Sequence, residues 1–239
     1  MRKDVVALFE EIKRCTGIDG CWGYKNPRCR KPVILPCKQH PKFMVISEQM
    51  NLREKEWKRK PENIPENWDS SKEMLNLIRD TKERGRRIGI IPKIDELFDG
   101  KFLEDFDTGS MSFNEFYWTH FIKCPGNLRN RSFEHRGLVL NVCADTFLLK
   151  EIQILRPEVI VCLGEYASTW ILRKTGYDRK WTDMLWEEIE WVISREKYIP
   201  ERRIGYDHKA KIIVMPHPSG KNPWATVLNK KLKYLLSLC

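Results

Sequence analysis

Three groups of residues in this 239-residue chain have the types and spacing to do chemistry. The first is the turn Val214-Met215-Pro216-His217-Pro218-Ser219-Gly220. It follows the apolar run Ile212 to Met215 and precedes a helix-like segment, Trp224 to Leu238, so it reads as strand, tight polar turn, helix. Pro216 and Pro218 restrict the backbone on both sides of His217. An imidazole on a stiff turn at a strand end is well placed to meet a substrate, although such turns also serve simply to end strands. The second group is Ser47-Glu48-Gln49-Met50-Asn51, polar groups where the strand-like run Lys42 to Ser47 ends. In open α/β sheets that edge is where ligands bind.

The third group is the cysteines: Cys15, Cys21, Cys29, Cys37, Cys124, Cys143, Cys162 and Cys239. In an intracellular protein, metal binding is favoured over a disulfide framework. Cys162 sits in the apolar run Val159 to Leu163 and reads as a core thiol, and Cys239 has no evident role. Cys124 ends a strand and Cys143 lies on the next helix, where the chain can fold back and bring the sulfurs together. Cys15 and Cys21 follow the first helix. Four thiolates from two distant segments suit a tetrahedral zinc or a [4Fe–4S] cluster. Cys29 and Cys37 could replace either N-terminal cysteine, or form a disulfide.

The elements that must position these groups follow from periodicity. Val5, Leu8, Phe9 and Ile12 recur at helical spacing and deliver Cys15 at the helix end, ahead of a Cys-, Pro- and Gly-rich segment to residue 41. Strands are expected at 42–47, 114–122, 157–164 and 211–215, and helices at 137–155, 165–175 and 224–238. Residues 52–110 read as a charged insertion. Its first part, broken by Pro61 and Pro65, is expected at the surface with a helix near 70–83, and a short helix or two should follow within 94–106. Residues 177–207 hold Trp181, Trp186 and Trp191 among many charges, at spacings compatible with an amphipathic helix. Alternating strands and helices argue for a three-layer α/β/α fold around a mainly parallel four-stranded sheet, in a single domain over 1–239.

Composition narrows the partners. Lys and Arg outnumber Asp and Glu by 43 to 33, giving a formal net charge of +10 and favouring an anionic partner, nucleic acid first. Charged residues reach 32%, so a solvated Lys/Glu-rich surface is the plainer account of part of this. No run of about 18 apolar residues is present, so no membrane span is expected. The N-terminus lacks an apolar signal core, which places the protein in the cytosol.

Taken together, the segments resemble the uracil-DNA glycosylase superfamily, most closely its iron–sulfur (family four) branch. The strand Met44-Val45-Ile46-Ser47-Glu48 lies where that branch has a strand running into Gly-Glu-Ala-Pro-Gly. Thr119-His120-Phe121-Ile122-Lys123-Cys124-Pro125-Gly126-Asn127 is similar to its Thr-Asn-Val-Val-Lys-Cys segment. Leu155-Arg156-Pro157-Glu158-Val159-Ile160-Val161-Cys162-Leu163-Gly164 resembles its helix-to-strand passage, and His217-Pro218-Ser219 its last motif. The resemblance implies a DNA-repair glycosylase that hydrolyses the N-glycosidic bond of a deaminated base, uracil or hypoxanthine or xanthine. It implies a [4Fe–4S] cluster on Cys15, Cys21, Cys124 and Cys143, with zinc the alternative, and a monomer acting on DNA.

In that reading His217 donates a hydrogen bond to the departing base, and Glu48 positions water or offsets the sugar cation. Ser47, Gln49, Asn51 and His120 line the base, Ser219, Lys221, Lys230 and Lys231 contact phosphate, and Trp57 or Phe98 stacks on the base. Two departures bear on function. The first motif lacks its Gly and Pro, so Ser47 and Met50 are expected to crowd the pocket. His120 stands where the branch has a uracil-reading Asn; an amide donates and accepts side by side, whereas neutral imidazole does one of each through opposite ring nitrogens. These departures keep open a non-catalytic nucleic-acid-binding protein on the same fold.

Overall fold

A computed structural model of the chain describes residues 3–15, 31–37, 40–51, 63–85, 89–126, 141–177, 201–204 and 208–218. Seven strands are described: β1 (Phe43–Asn51), β2 (Phe106–Asp107), β3 (Ser112–Phe113), β4 (Phe116–Gly126), β5 (Val159–Leu163), β6 (Glu201–Ile204) and β7 (His208–Met215). The main sheet has the order β4-β1-β5-β7-β6, and β2 pairs with β3 in a separate two-stranded sheet. Strands β4, β1, β5 and β7 run parallel, and β6 joins antiparallel to β7. The four parallel strands are those expected from the apolar runs. Every residue of β5 is buried, as expected of a central parallel strand covered on both faces. The fifth strand was not expected. It lies within residues 177–207, whose spacing is compatible with an amphipathic helix, and its sequence, Glu-Arg-Arg-Ile, has no apolar run to mark a strand; it takes the edge of the sheet.

Helices cover both faces. Beneath one face lie α1 (Lys3–Lys13), the helix over 141–155 (α5) and α6 (Glu165–Lys174). Phe9 of α1 stacks on Tyr117 at 6.1 Å, and Trp170 of α6 meets Phe121 edge-on at 5.9 Å. The middle of α5 is a π-helical segment, Ala144–Leu148, which begins directly after Cys143. Arg156 in the left-handed region and then Pro157 end α5 and turn the chain into β5.

Over the other face lie α2 (Ser70–Arg84), α3 (Ile91–Leu97) and α4 (Lys101–Asp105). Asp69 caps α2 by accepting from the Lys72 amide at 3.0 Å, and Gly85 at φ +62° ends it. Phe98 packs edge-on against Phe43 at 5.5 Å and Phe116 at 4.8 Å, and Phe102 meets Trp118 at 5.9 Å. The Asp105 carboxylate accepts from the amides of Asn114, Glu115 and Phe116, fastening the end of α4 to the start of β4.

This corrects the placing of the first part of the charged insertion 52–110, residues 52–87, at the surface. In its described part the insertion is the helical layer over one face of the sheet, and Met74, Ile78, Ile94, Phe98, Phe102 and Phe106 are buried in the common core. The charge density belongs to the outer faces of these short helices. Composition averaged over the window hides the apolar stripe beneath.

Candidate active site at the carboxyl edge of the sheet

The chain passes from β1 out to β4 and then returns across β1 to β5, so β1 and its neighbours form the point where strand order reverses. Ligands of such sheets bind beyond the carboxyl ends of the strands at that point. Glu48, Gly164 and His217 are at that edge, Glu48 near the end of β1, Gly164 directly after β5 and His217 two residues beyond β7, while His120 lies near the middle of β4.

Strand pairing ties them together. Ser47 pairs with His120 across β1 and β4. An ideal Cβ on Gly164 would lie 2.5 Å from Glu48 Oε1, so the carboxyl of Glu48 lies against the Gly164 backbone. The Gly164 amide donates to the Met215 carbonyl at 2.8 Å, which sets the start of the His217 turn beside the same glycine. Further along, the pairing shifts between Gln49↔Ile122 and Asn51↔Gly126, so β4 carries two extra residues there. Pro125 lies in that interval and has no amide hydrogen for a regular ladder.

Glu48 is partly exposed as a residue, but its carboxyl is largely withdrawn from water. Burial raises its pKa to about 7, against hydrogen bonds from the backbone amides of Tyr166 and Glu165 that favour the charged form. Near neutral pH the group therefore exchanges a proton readily. His120 is 2% exposed, and burial followed by the Lys123 charge lowers its pKa to about 3. Its ring lies 5.4 Å from that of Trp118, and among the described residues its Nδ1 has no hydrogen-bond partner. His217 is partly exposed between buried Pro216 and Pro218. Its pKa is lowered by burial and then by the Lys93 ammonium of α3, so it is a neutral imidazole at pH 7.

Ser47 is buried, with its hydroxyl engaged inside the fold: it accepts from the Trp118 indole N–H at 3.0 Å and donates to the Thr119 carbonyl at 3.4 Å. Met50 is buried as well. The side chains of Gln49 and Asn51, and residues Ser219, Lys221, Lys230, Lys231, Cys21, Cys29 and Trp57, lie outside the described part of the chain. Phe98 is corrected: it is buried against Phe43 and Phe116 at the amino ends of the strands, so it is not the base-stacking aromatic. Gly164, Trp118 and Lys93 were missed by sequence reasoning. Gly164 reads locally as the close of a strand, and nothing along the chain ties it to Glu48.

Of the proposed metal ligands, Cys15, Cys124 and Cys143 are described. Cys15 packs partly buried at the end of α1. Cys143 is buried, and its sulfur accepts from the Lys123 amide at 3.5 Å, next to Cys124. Among the described residues no group of three or more His, Cys, Asp or Glu side chains is gathered to share a metal ion, so these three do not by themselves compose a site. Cys37 is corrected as an alternative ligand or disulfide partner. Its thiol is free and buried, its backbone forms a β-bridge with Phe113, and burial pushes its pKa up to about 12. Cys162 is a buried core thiol, as expected.

Below this edge, on the α1/α5 side of β4, lies a second polar cluster. Lys123 and Glu151, each 1% exposed, form an ion pair. Tyr117 donates to Glu151 at 2.7 Å, Thr119 donates to it at 3.2 Å, and the Lys123 ammonium also donates to Thr119 at 2.5 Å.

A mainly parallel α/β sheet with titratable groups gathered at its switch point is the arrangement in which doubly wound folds bind their ligands. The chain belongs to the uracil DNA glycosylase superfamily, whose pattern it matches over residues 38–237. Among curated proteins it is similar to a type-4 uracil-DNA glycosylase of Archaeoglobus fulgidus, at 33% identity over 107 residues. That stretch is 43% of this chain and 44% of the relative, so the chain spans less than half the length of the curated relative it matches. Among the described residues no helix is long and apolar enough to cross a membrane.

Proposed function

We propose that this protein is a DNA glycosylase that hydrolyses the N-glycosidic bond of a deaminated base. The observation that carries this is the placement of neutral His217 and Glu48 around Gly164 at the carboxyl edge of the sheet, in a chain of the uracil DNA glycosylase superfamily. The nucleotide turns out of the stack into the site, with phosphate contacts from Ser219, Lys221, Lys230 and Lys231. The bond from C1′ to the base nitrogen breaks, and its electron pair leaves with the base. His217, uncharged, donates a hydrogen bond to the base as negative charge builds on it. Such a donor in a water-poor site contributes roughly 3–4 kcal/mol. Ionised Glu48 offsets the positive sugar and orients the water that adds to C1′. The proton lost by that water ends on the base, giving an abasic site and a free base.

His120 sets the base preference. An unpaired nitrogen on a neutral ring offers either a donor or an acceptor according to tautomer, so it makes a single contact where an amide makes two. This favours oxo-bases read through one carbonyl, with hypoxanthine and xanthine admitted beside uracil. The same substitution, with the Ser47 hydroxyl engaged by Trp118, favours a second reading: a non-catalytic nucleic-acid-binding protein on the same fold.

The experiment is incubation of the protein with single- and double-stranded DNA carrying one uracil, hypoxanthine or xanthine, followed by alkali cleavage. Cleavage at the modified base is expected. A protein that binds these DNAs and excises none of the bases would establish the second reading.

The reading includes a [4Fe–4S] cluster held by Cys15, Cys21, Cys124 and Cys143, a structural group that ties the N-terminal segment to β4 and α5. The amide-to-sulfur contact at Cys143 supports it, because backbone N–H groups stabilise thiolate charge. Anaerobically purified protein should be brown and contain iron. Colourless, iron-free protein with stoichiometric zinc would put zinc in the same site, and absence of both metals would remove the cofactor from the reading.

A further inference from the structure

We propose that Gly164 is a positioning residue for Glu48: its missing side chain leaves the seat in which the Glu48 carboxyl rests against the amides that open α6. Three consecutive atoms of Glu48 lie against the position a Cβ would take, Oε1 at 2.5 Å, Cδ at 3.0 Å and Cγ at 3.2 Å. An alanine methyl there would have to displace the carboxyl. The backbone at Gly164, φ +99° and ψ 172°, is itself open only to glycine at low cost.

The seat answers a need of the helix. The first amides of a helix have no intrahelical partner, and Gly164 at the cap position has no side chain to supply one. The Gly164 amide is taken by Met215, and the next two, Glu165 and Tyr166, donate to Glu48. Glu48 thus caps α6 from a different strand, and the helix dipole adds to its hold on a carboxylate. Glu48 is thereby fixed in one orientation before substrate arrives, and no reorganisation is required during bond cleavage. The catalytic consequence rests on the glycosylase reading; the seat does not.

The test is a double-mutant cycle of Gly164→Ala, Glu48→Ala and the pair, read by urea unfolding, DNA affinity and single-turnover excision. Gly164→Ala should lower the excision rate about tenfold or more with DNA affinity within about twofold, and should cost less than about twofold once Glu48 is already alanine. In unfolding, the Gly164→Ala penalty should be larger with Glu48 present than without it, since backbone strain is common to both backgrounds and the clash is not. Equal penalties in the two backgrounds would mean that Gly164 acts through backbone conformation alone, and would overturn the proposal. If Gly164→Ala fails to fold, its rescue by Glu48→Ala supports the seat. If both fail, Glu48→Asp decides, because it withdraws the carboxyl from the amides by one methylene with Gly164 intact; an unchanged unfolding midpoint would sink the proposal. A wild-type protein that excises no base ends the glycosylase reading, and the unfolding comparison still decides the seat.

Discussion

On one face of β4, Tyr117, Thr119 and Lys123 close around Glu151; on the other, beside Trp118, His120 has an imidazole nitrogen without a partner among the described residues. Both clusters are buried, and both hang from alternate residues of one strand. In the first, each polar side-chain group has a partner within the cluster, and the charges of Lys123 and Glu151 offset one another. Tyr117, beside the Glu151 carboxylate and out of water, has its pKa raised and stays protonated as a donor. The second keeps hydrogen-bonding capacity unspent, which costs stability inside a protein unless a ligand uses it. Closed polar clusters hold a fold together, whereas an open one at a sheet edge is where a substrate can be read.

Breaking the closed cluster should have the largest effect. Glu151→Ala strands the Lys123 ammonium in the core and should cost about 3–5 kcal/mol by urea unfolding. Lys123→Met combined with Glu151→Leu should cost less than either single change, since no charge is left uncompensated. A loss under about 1 kcal/mol for Glu151→Ala would show that water reaches the cluster and that the contrast between the faces is false.

At the open edge, His217→Ala should lower single-turnover excision by about 100-fold while leaving DNA affinity nearly intact, because the lost hydrogen bond strengthens only as the base becomes an anion. An unchanged rate would remove His217 from the chemistry.

His120 should appear in stability as a function of pH. Its folded pKa of about 3 lies below its ordinary value of 6.5, so the unfolded chain takes up the proton first as pH falls. Stability should therefore drop by a few kcal/mol between pH 6.5 and 3, and His120→Asn should flatten that slope. Glu48 acts in the opposite direction. Its pKa is raised from 4.5 to about 7, so the folded state holds the proton longer and stability falls as pH rises through that window. Glu48→Gln should flatten that second slope. His120→Asn should also shift base preference toward uracil in competition assays, by roughly tenfold if the restored amide makes one further hydrogen bond. Acid unfolding with the same slope in His120→Asn would show that the ring is not held neutral by burial.

The smallest effect belongs to Lys93. Burial, not this charge, is the main cause of the lowered His217 pKa. Lys93→Gln should raise the pH at which His217 titrates, followed by the NMR signals of its ring, by less than about one unit. A larger shift in that titration would make Lys93 the dominant influence on His217.

Much of this was legible along the chain. The four parallel strands announced themselves as apolar runs, α1 as a periodic stripe, and the His217 turn by its two prolines. The layer formed by α2, α3 and α4 was not, because their apolar residues are dispersed among charges and become a face only when the helices are placed on the sheet. Residue types at a strand end also pointed to Glu48, and the family resemblance to His120, as candidates for a site, while their proton affinities were beyond reach.

What the sequence determined by itself is therefore what depends on near neighbours: the period of burial, the stiffness of Pro216-His217-Pro218, and the order of motifs that marks the family. What only the tertiary structure decided depends on groups far apart in the chain. Glu48 meets Gly164 and the start of α6, Ser47 is engaged by Trp118, and Lys123 finds Glu151. A pKa is set by the water, charges and amides within a few ångströms, and the fold brings those groups to Glu48 and His120 from other strands and helices.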